Sequence, residues 1–474
     1  MRYMWEGRFK EKVDVDIIEF TKSINVDKKL AIYDIEGSIA HVKMLFKVGL
    51  ITEEEKEKII RGLENIKKEI KENKFKFLPS DEDIHTAIER RLIEIIGKIG
   101  EKLHTARSRN DQIVLDEKLF LRDEVIYLVK LIIDLQEKFL EKSEEYFDTI
   151  ISAYTHLKQS QPILLSHYLL AYVEKLERDK ERFMDTYKRI NVFPLGVGAC
   201  AGTSLPIDRE YTAKLLNFPE ISRNSLDTVS DRDFLVEVTF CCLLTMIHLS
   251  SFSQDIIIWN MDEINFVKLP DKYCTGSSLM PHKKNPDVFE LIRGKTAVCT
   301  GLLNGLLVLL KDLPLSYNRD IQEDKKILFE ILKTVEATLK ILIKILSEIK
   351  FNKEIIIEKI SSFTLSVDIV EYLVKKGIPF REAHRIVGNI VKYCIEKNKT
   401  FFNLTLNEFK SFSPIFEKDI LQILNFKNSV NSKISGGGTS SINVKKEIER
   451  WKKKLKKSWN LIINLEKEVS ILKK

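Results

Sequence analysis

The chain has 474 residues, 44% hydrophobic and 31% charged, with 77 Lys and Arg against 70 Asp and Glu and a formal charge of +7. This is enough chain for a large core and more than one domain, and the composition excludes a disordered or fibrous protein. The small basic excess reads as interspersed surface charge, compatible with an anionic small ligand, and no aromatic-interleaved basic motif marks a nucleic-acid surface.

The first residues, Met1 to Phe9, lack the apolar core of a signal peptide. Residues 1–106 read as short helices joined by polar loops. Glycine and proline are absent from Gln112 to Leu157, between Pro219 and Pro270, and between Pro314 and Gly377. Stretches this long without breakers predict helix. Within 114–151, Leu115, Leu119, Ile126, Val129, Ile133 and Leu140 recur at helical spacing, with Arg122 on the polar side. A helix of about 36 residues is about 54 Å long, and it needs bundle partners, often from another subunit. The longest uncharged run, 238–254, contains His248 and several Ser and Thr. It falls short of the roughly 20 apolar residues of a membrane span.

Shorter helices return after 358, with breaks at Gly377-Ile378-Pro379 and Gly436-Gly437-Gly438. The last helix, roughly 444–474, is Lys-rich. Its stripe of Ile448, Trp451, Leu455, Trp459, Ile462, Leu465 and Val469 reads as a packed face rather than a membrane surface. Period-two alternation is sustained nowhere, so no sheet domain is expected. The predicted fold is all-α, with three mainly helical domains at 1–106, 107–357 and 358–474, the middle one a long-helix bundle. Six cysteines without a C-x-x-C pair read as free thiols of a cytoplasmic protein.

Five polar segments interrupt this background: 80–86 (SDEDIHT), 103–112 (LHTARSRNDQ), 154–162 (YTHLKQSQP), 275–287 (TGSSLMPHKKNPD) and 315–325 (LSYNRDIQEDK). Singly, each has a structural explanation. Ser80-Asp81-Glu82-Asp83 suits a helix start. Arg107 and Arg109 suit surface ion pairs. His156, placed near a helix end, suits a structural role. Asn285-Pro286-Asp287 suits the first turn of a helix. Together they supply hydroxyls, amides, arginines, a lysine and histidines, an inventory for a polyanionic small molecule. The Gly276-Ser277-Ser278 turn can add backbone N–H groups as an anion nest.

Residues Gly276 to Pro286 match the signature G-S-S-x-M-P-x-K-x-N-P of the fumarase/aspartase superfamily at every fixed position. His104 to Gln112 resembles the H-T-G-R-S-R-N-D-Q of argininosuccinate lyases, and Tyr154-Thr155-His156-Leu157 their Y-T-H-L. Tyr317 to Lys325 resembles their Y-N-K-D-x-Q-E-D-K. Met4 to Phe9, Asp83-Ile84-His85, Ser230-Asp231-Arg232-Asp233 and Gly377 to His384 also fit. The resemblance spans almost the whole chain.

It implies reversible elimination of argininosuccinate to arginine and fumarate without metal or organic cofactor, through an aci-carboxylate intermediate. It implies Ser277 as general base, His156 as general acid, Lys283 as charge stabiliser and Glu290 as the partner of His156. It implies substrate contacts from Ser23, Ser108, Arg109, Asn110, Thr155, Asn285, Tyr317, Arg319, Gln322 and Lys325. It also implies a homotetramer around a central helical bundle, with sites shared between subunits and no nucleic-acid or membrane partner. The chain departs from the pattern in places. His282 stands where these lyases have Gln and is similar to the adenylosuccinate lyase branch, which leaves that substrate as the alternative. Ala106 and Ala153 replace glycines, and Arg319 replaces Lys, a change that is not neutral where a point charge is needed.

Overall fold

Eleven helices carry the architecture. They are α1 (Ala31–Lys47), α2 (Glu53–Lys71), α3 (Ile84–Ile96), α4 (Arg109–Glu145), α5 (Leu165–Ile190), α6 (Asp233–Trp259), α7 (Asp287–Leu310), α8 (Asp324–Glu348), α9 (Ser366–Lys375), α10 (Phe380–Glu396) and α11 (Ser441–Val469). The computed structural model describes residues 10, 11 and 13–471, so the Met4 to Phe9 match lies outside the described residues. The fold is all-α. The longest pair of strands is β1 (Ile150–Thr155) with β2 (Lys158–Leu164), and a short pair, β3 (Thr275–Gly276) with β4 (Lys284–Asn285), lies further along.

Local chemistry sets the helix starts. Thr52 and Glu55 close a capping box on α2, and Asp83 caps α3 by accepting from Thr86 N. Ser108 and Asp111 close a capping box on α4, which then runs for 37 residues. α4 is the axis of the main core. α5, α8 and α11 all pack on it, so Leu119, Ile126, Ile132 and Phe139 are fully enclosed. A second core, with Ile35, Leu45, Leu63 and Leu92, fills the space between α1, α2 and α3. A third, with Leu373, Val387, Phe401 and Phe409, lies around α9 and α10.

The closing helix does not stay with that third core. Trp451, Leu455 and Ile462 of α11 belong to the main core, and Lys130 on α4 pairs with Glu466 at 3.1 Å. Its apolar stripe is therefore the packed face that the spacing predicts.

Two expectations change. Arg122 is not on a polar side: its exposure is 0%. Its guanidinium donates to the carbonyls of Leu216 and Asn217 and lies over the Phe218 ring at 4.4 Å. The outer stripe of α4 runs through Glu124, Tyr127, Lys130, Asp134 and Glu137; Arg122 lies off it and is buried where carbonyls almost a hundred residues away are turned towards it. The helix also ends at Glu145, before Ile150 and Ile151, which lie in β1. His156 is accordingly not near a helix end. His156 and Leu157 form the two-residue connection of the β1–β2 hairpin, at φ +54° and +58°. Both central residues left-handed is the pattern of a type I′ turn, here made without Gly or Asn.

α6 and α7 are each long and apolar enough to cross a membrane by length and composition. α6 is a core helix, with Leu235, Val238, Met246 and Phe252 enclosed. α7 buries Phe289, Ile292, Cys299 and Leu306 but leaves Leu291, Val298, Leu307 and Val308 outside, the last 71% exposed.

Candidate functional site

A cavity of about 600 Å³ opens where the start of α3, the start of α4 and the segment leading into α8 converge. Six of the sequence-predicted ligand-binding residues line it: Ser23, Arg109, Tyr317, Arg319, Gln322 and Lys325. Sequence reasoning left out its other lining residues, among them Asp27, Glu82, Asp83, His85, Glu89 and His104. The signal was present, since 80–86 and 103–112 had been singled out as polar segments. What could not be seen is that both turn the same way.

The cavity mixes charges. Arg109 lies 3.2 Å from Glu89 and 3.7 Å from Asp83. Arg319 lies 2.5 Å from Glu82. Lys325 stands on a buried group: Asp324 is 3.0 Å away and Glu117 3.6 Å, and both carboxyls are also held by Arg232, at 2.7 and 3.2 Å. Burial alone would lower the Lys325 pKa, but Asp324 and Glu117 hold it above its usual value. It therefore presents a full positive charge to the cavity. Burial pushes the Tyr317 phenol up, so it stays protonated and can donate.

His85 reaches the cavity with its Nδ1 tied below, 3.0 Å from Asp34 and 3.5 Å from Asp116. Burial would raise Asp34, but His85, Arg107 and Gln112 hold it down at about 2. Asp116 is pushed well above the ordinary carboxylate value, by burial first and by Asp34 second. Among the described residues, Asp34, His85 and Asp116 are a group whose ligand-type atoms lie close enough, within 4.8 Å, to hold a metal ion. The positive charge of Arg107 already acts on both carboxyls.

His104 is pushed down to about 4 by burial and then by Arg109 and Arg107, so at neutral pH it is uncharged. Its neighbour in space, His41, donates from Nε2 to Thr105 O at 2.8 Å and is pushed down to about 3, by burial first and Arg107 second. A histidine with a lowered folded pKa binds fewer protons folded than unfolded below pH 6.5, so stability is lost as pH falls. At pH 5 the His41 deficit is about 2 kcal/mol. Chemical unfolding at pH 7 and pH 5 is expected to show this loss, and His41→Gln to remove most of it. An unchanged pH slope in that variant would assign the loss to other groups.

His41 steadies the turn that carries Ala106. That residue has φ +60°, so the position where the resembled motif has Gly is left-handed here, and alanine costs about 1–2 kcal/mol there. Ala153, the other replacement, is not among the positive-φ residues and lies in β1, at an irregularity between Ser152 and Tyr154.

The remaining predicted residues lie elsewhere on the protomer. Ser108 caps α4, its Oγ accepting from Asn110 N, while Asn110 Nδ2 donates to Ala199 O at 3.1 Å. Thr155 and His156 are exposed at the hairpin tip. Ser277 and Lys283 lie on the β3–β4 loop, Asn285 in β4 opposite Thr275, and Glu290 in the first turn of α7. None of these lines the cavity. Among the described residues, histidine–carboxylate ion pairs are made by His85, His104 and His248, and His156 does not pair with Glu290 within the protomer.

The β3–β4 loop has a chemistry of its own. The Ser277 Oγ accepts from Met280 N at 3.0 Å and from Leu279 N at 3.3 Å. Two amide dipoles aimed at one oxygen stabilise negative charge on it. Lys284 ties the loop base down, donating to Leu269 O and to Asp271 Oδ1. His282 and Lys283 are exposed.

Comparison with known proteins adds the family. Residues 7–301 match the model described as Lyase, and residues 363–431 match the model described as Argininosuccinate lyase C-terminal. The chain is similar to argininosuccinate lyases of Sulfurihydrogenibium sp. (strain YO3AOP1), 49% identical over 96% of this chain and 99% of that one, and of Syntrophus aciditrophicus (strain SB), 51% identical over 94% and 95%. Among solved structures it resembles EDDS lyase in complex with formate, with TM-score 0.83 and 28% identity over 94% of this chain and 90% of that one.

Proposed function

Since this chain belongs to the argininosuccinate lyase family, we propose that it cleaves argininosuccinate to L-arginine and fumarate, reversibly and in the cytoplasm. The observation that carries this reading is near-half identity to lyases of that name along almost the whole chain. The cavity is in keeping with it. The substrate has three carboxylates, an ammonium and a guanidinium, and the lining offers Arg109, Arg319 and Lys325 beside Glu82, Asp83 and Glu89.

In the proposed reaction Ser277 Oγ removes the proton from the carbon next to a carboxylate. The extra charge moves onto that carboxylate, as an aci-carboxylate, where Lys283, Asn285 and loop amides stabilise it. The C–N bond then breaks. His156 protonates the leaving guanidinium nitrogen, and Glu290 orients its imidazole. Ser108, Asn110 and Thr155 complete the carboxylate contacts, with Ser23, Tyr317, Gln322 and the cavity cations.

These groups lie on separate surfaces of one protomer, so the reading requires a homotetramer in which three chains build each site. The uncovered apolar face of α7 supports that assembly, because an exposed patch of this kind is rare on a monomer. Val298→Lys, placed in the middle of that face, is expected to give smaller species in sedimentation and to lose at least about a hundredfold in turnover. A monomeric variant that kept its turnover would overturn the shared site.

The reading itself is tested by following fumarate absorbance with argininosuccinate and, on the same preparation, with adenylosuccinate. The first is expected to be turned over. Selective turnover of the second would assign His282 to a different substrate.

A further inference from the structure

We propose that Gln159 is a positioning residue for His156, and that its side-chain amide sets where the imidazole stands in the shared site. This rests on the reading of His156 as the general acid.

The β1–β2 hairpin is well held at its base. Ile151 and Leu164 are buried there, Leu165 N donates to Thr149 O at 2.8 Å, and Leu164 N donates to Thr439 Oγ1 at 2.9 Å. The register then slips. Ser152 faces Pro162 but Tyr154 faces Gln159, so β2 has one residue more than β1 between the two pairs. Pro162 also brings no N–H to the ladder. A bulge of this kind breaks the ladder and bends the strand. Beyond it, Thr155, His156, Leu157 and Lys158 are exposed. The backbone ladder alone therefore leaves the tip free to tilt on its base.

Gln159 ties the tip down on the far side of the bulge. Its Nε2 donates to Lys359 O at 2.7 Å, and its Oε1 accepts from Ser361 N at 2.8 Å. Both ends of one planar amide are engaged, which fixes direction as well as distance. The anchor is itself held. Lys359 N donates to Ile355 O at 3.2 Å, and Lys359 Nζ donates to Glu263 O. Ser361 Oγ accepts from Phe363 N at 3.3 Å, and Ser362 and Leu365 in the following turn are buried. Gln159 is three positions from His156, so a tilt at the clamp is passed on to the imidazole. A general acid must stand within hydrogen-bond reach of the atom it protonates, and about 1 Å of misplacement can cost on the order of a hundredfold in rate. Of the proposed substrate contacts only Thr155 shares the tip, so loss of the clamp falls on turnover more than on binding.

The test follows argininosuccinate cleavage by the full-length protein. Gln159→Ala is expected to lower kcat by about tenfold to a hundredfold and to leave KM within about threefold. It is also expected to raise the solvent deuterium isotope effect on kcat, because proton delivery from a displaced acid becomes the slow step. Ser361 offers an independent cut. Its φ of −66° and ψ of 136° suit proline. Ser361→Pro removes the N–H that bonds Gln159, whereas Ser361→Ala keeps it, and both lose the Oγ cap on Phe363. Ser361→Pro is expected to behave like Gln159→Ala, and Ser361→Ala like the wild type. Sedimentation shows whether each variant keeps its assembly. An assembled Gln159→Ala enzyme with unchanged kcat, or a fall in kcat without a larger isotope effect, would overturn the proposal. So would a loss that appears only on dissociation. A wild-type protein that fails to cleave argininosuccinate, or His156→Asn that keeps its kcat, would refute the functional reading and this proposal with it. An enzyme that needs His156 but not Gln159 would refute the proposal alone.

Discussion

Replacing Ser277 with alanine is expected to lower kcat for argininosuccinate cleavage by at least about a thousandfold, with substrate affinity changed by less than about threefold. A serine hydroxyl is a poor base, because its alkoxide is too costly in water near neutral pH. The loop changes that balance. Leu279 N and Met280 N donate to Ser277 Oγ, and both bonds strengthen when the oxygen becomes negative. Among the described residues the Lys283 ammonium has no partner within the protomer and is exposed, so it is available to the same charge. The competing account is a serine that merely closes its own turn, as serines in loops often do. That account predicts a looser loop and weaker binding with kcat largely kept. Single-turnover kinetics with direct binding measurements separate the two. An equal loss of binding and turnover would make Ser277 a positioning residue.

The five polar segments carry side chains that an apolar helical background does not need, and Arg109, Tyr317, Arg319, Gln322 and Lys325 from two of them line one cavity. The sequence did not make that grouping legible. Arg109 and Arg319 are more than two hundred residues apart and share a cavity, while Ser277 and Lys283 lie on a loop that does not line it. The absence of Gly and Pro predicts helix past Glu145, where the chain instead enters β1. The hairpin there turns on His156 and Leu157, both at positive φ, so the usual marker of a tight turn is missing. Arg122 was placed on a polar side because periodicity reports one helix and not what surrounds it. The cavity carboxylates were passed over for a related reason. In the sequence, Glu82 is an ordinary acid of a helix start and Glu89 an unmarked acid within the helix, and only the fold sets them against arginines.

The Ser230-Asp231-Arg232-Asp233 segment carries no role in its sequence pattern alone. The structure puts Arg232 beneath the cavity, with its side chain fully buried. Its Nε donates to Asp324 Oδ2 at 2.7 Å and its Nη1 to Asp231 O. With Glu117 and Lys325 it forms a buried group of two cations and two carboxyls. Burial pushes the Glu117 carboxyl up to about 7, against the pull of Arg232 and with a further push from Asp324. Arg232→Met is expected to lower the unfolding free energy by about 3–5 kcal/mol, because it leaves Asp324 and Glu117 to share one lysine.

The sign of the pH dependence follows. A carboxyl whose folded pKa is raised binds more protons folded than unfolded, so its contribution is present at low pH and is lost as pH rises towards 7. Removing Arg232 raises Glu117 further, so the deficit should be larger at pH 8 than at pH 5.5, where a neutral Glu117 leaves Asp324 and Lys325 as a balanced pair. Glu117→Gln added to Arg232→Met should then recover at least about half of the loss at pH 8. Urea unfolding of the single and double variants at both pH values checks this. A deficit that ignores pH and is not recovered would reduce Arg232 to a space-filling side chain. Recovery would mean that the group exists to keep Lys325 charged at the cavity wall. In that case the double variant should regain substrate affinity along with stability, because Lys325 and its neighbour Asp324 are both still in place.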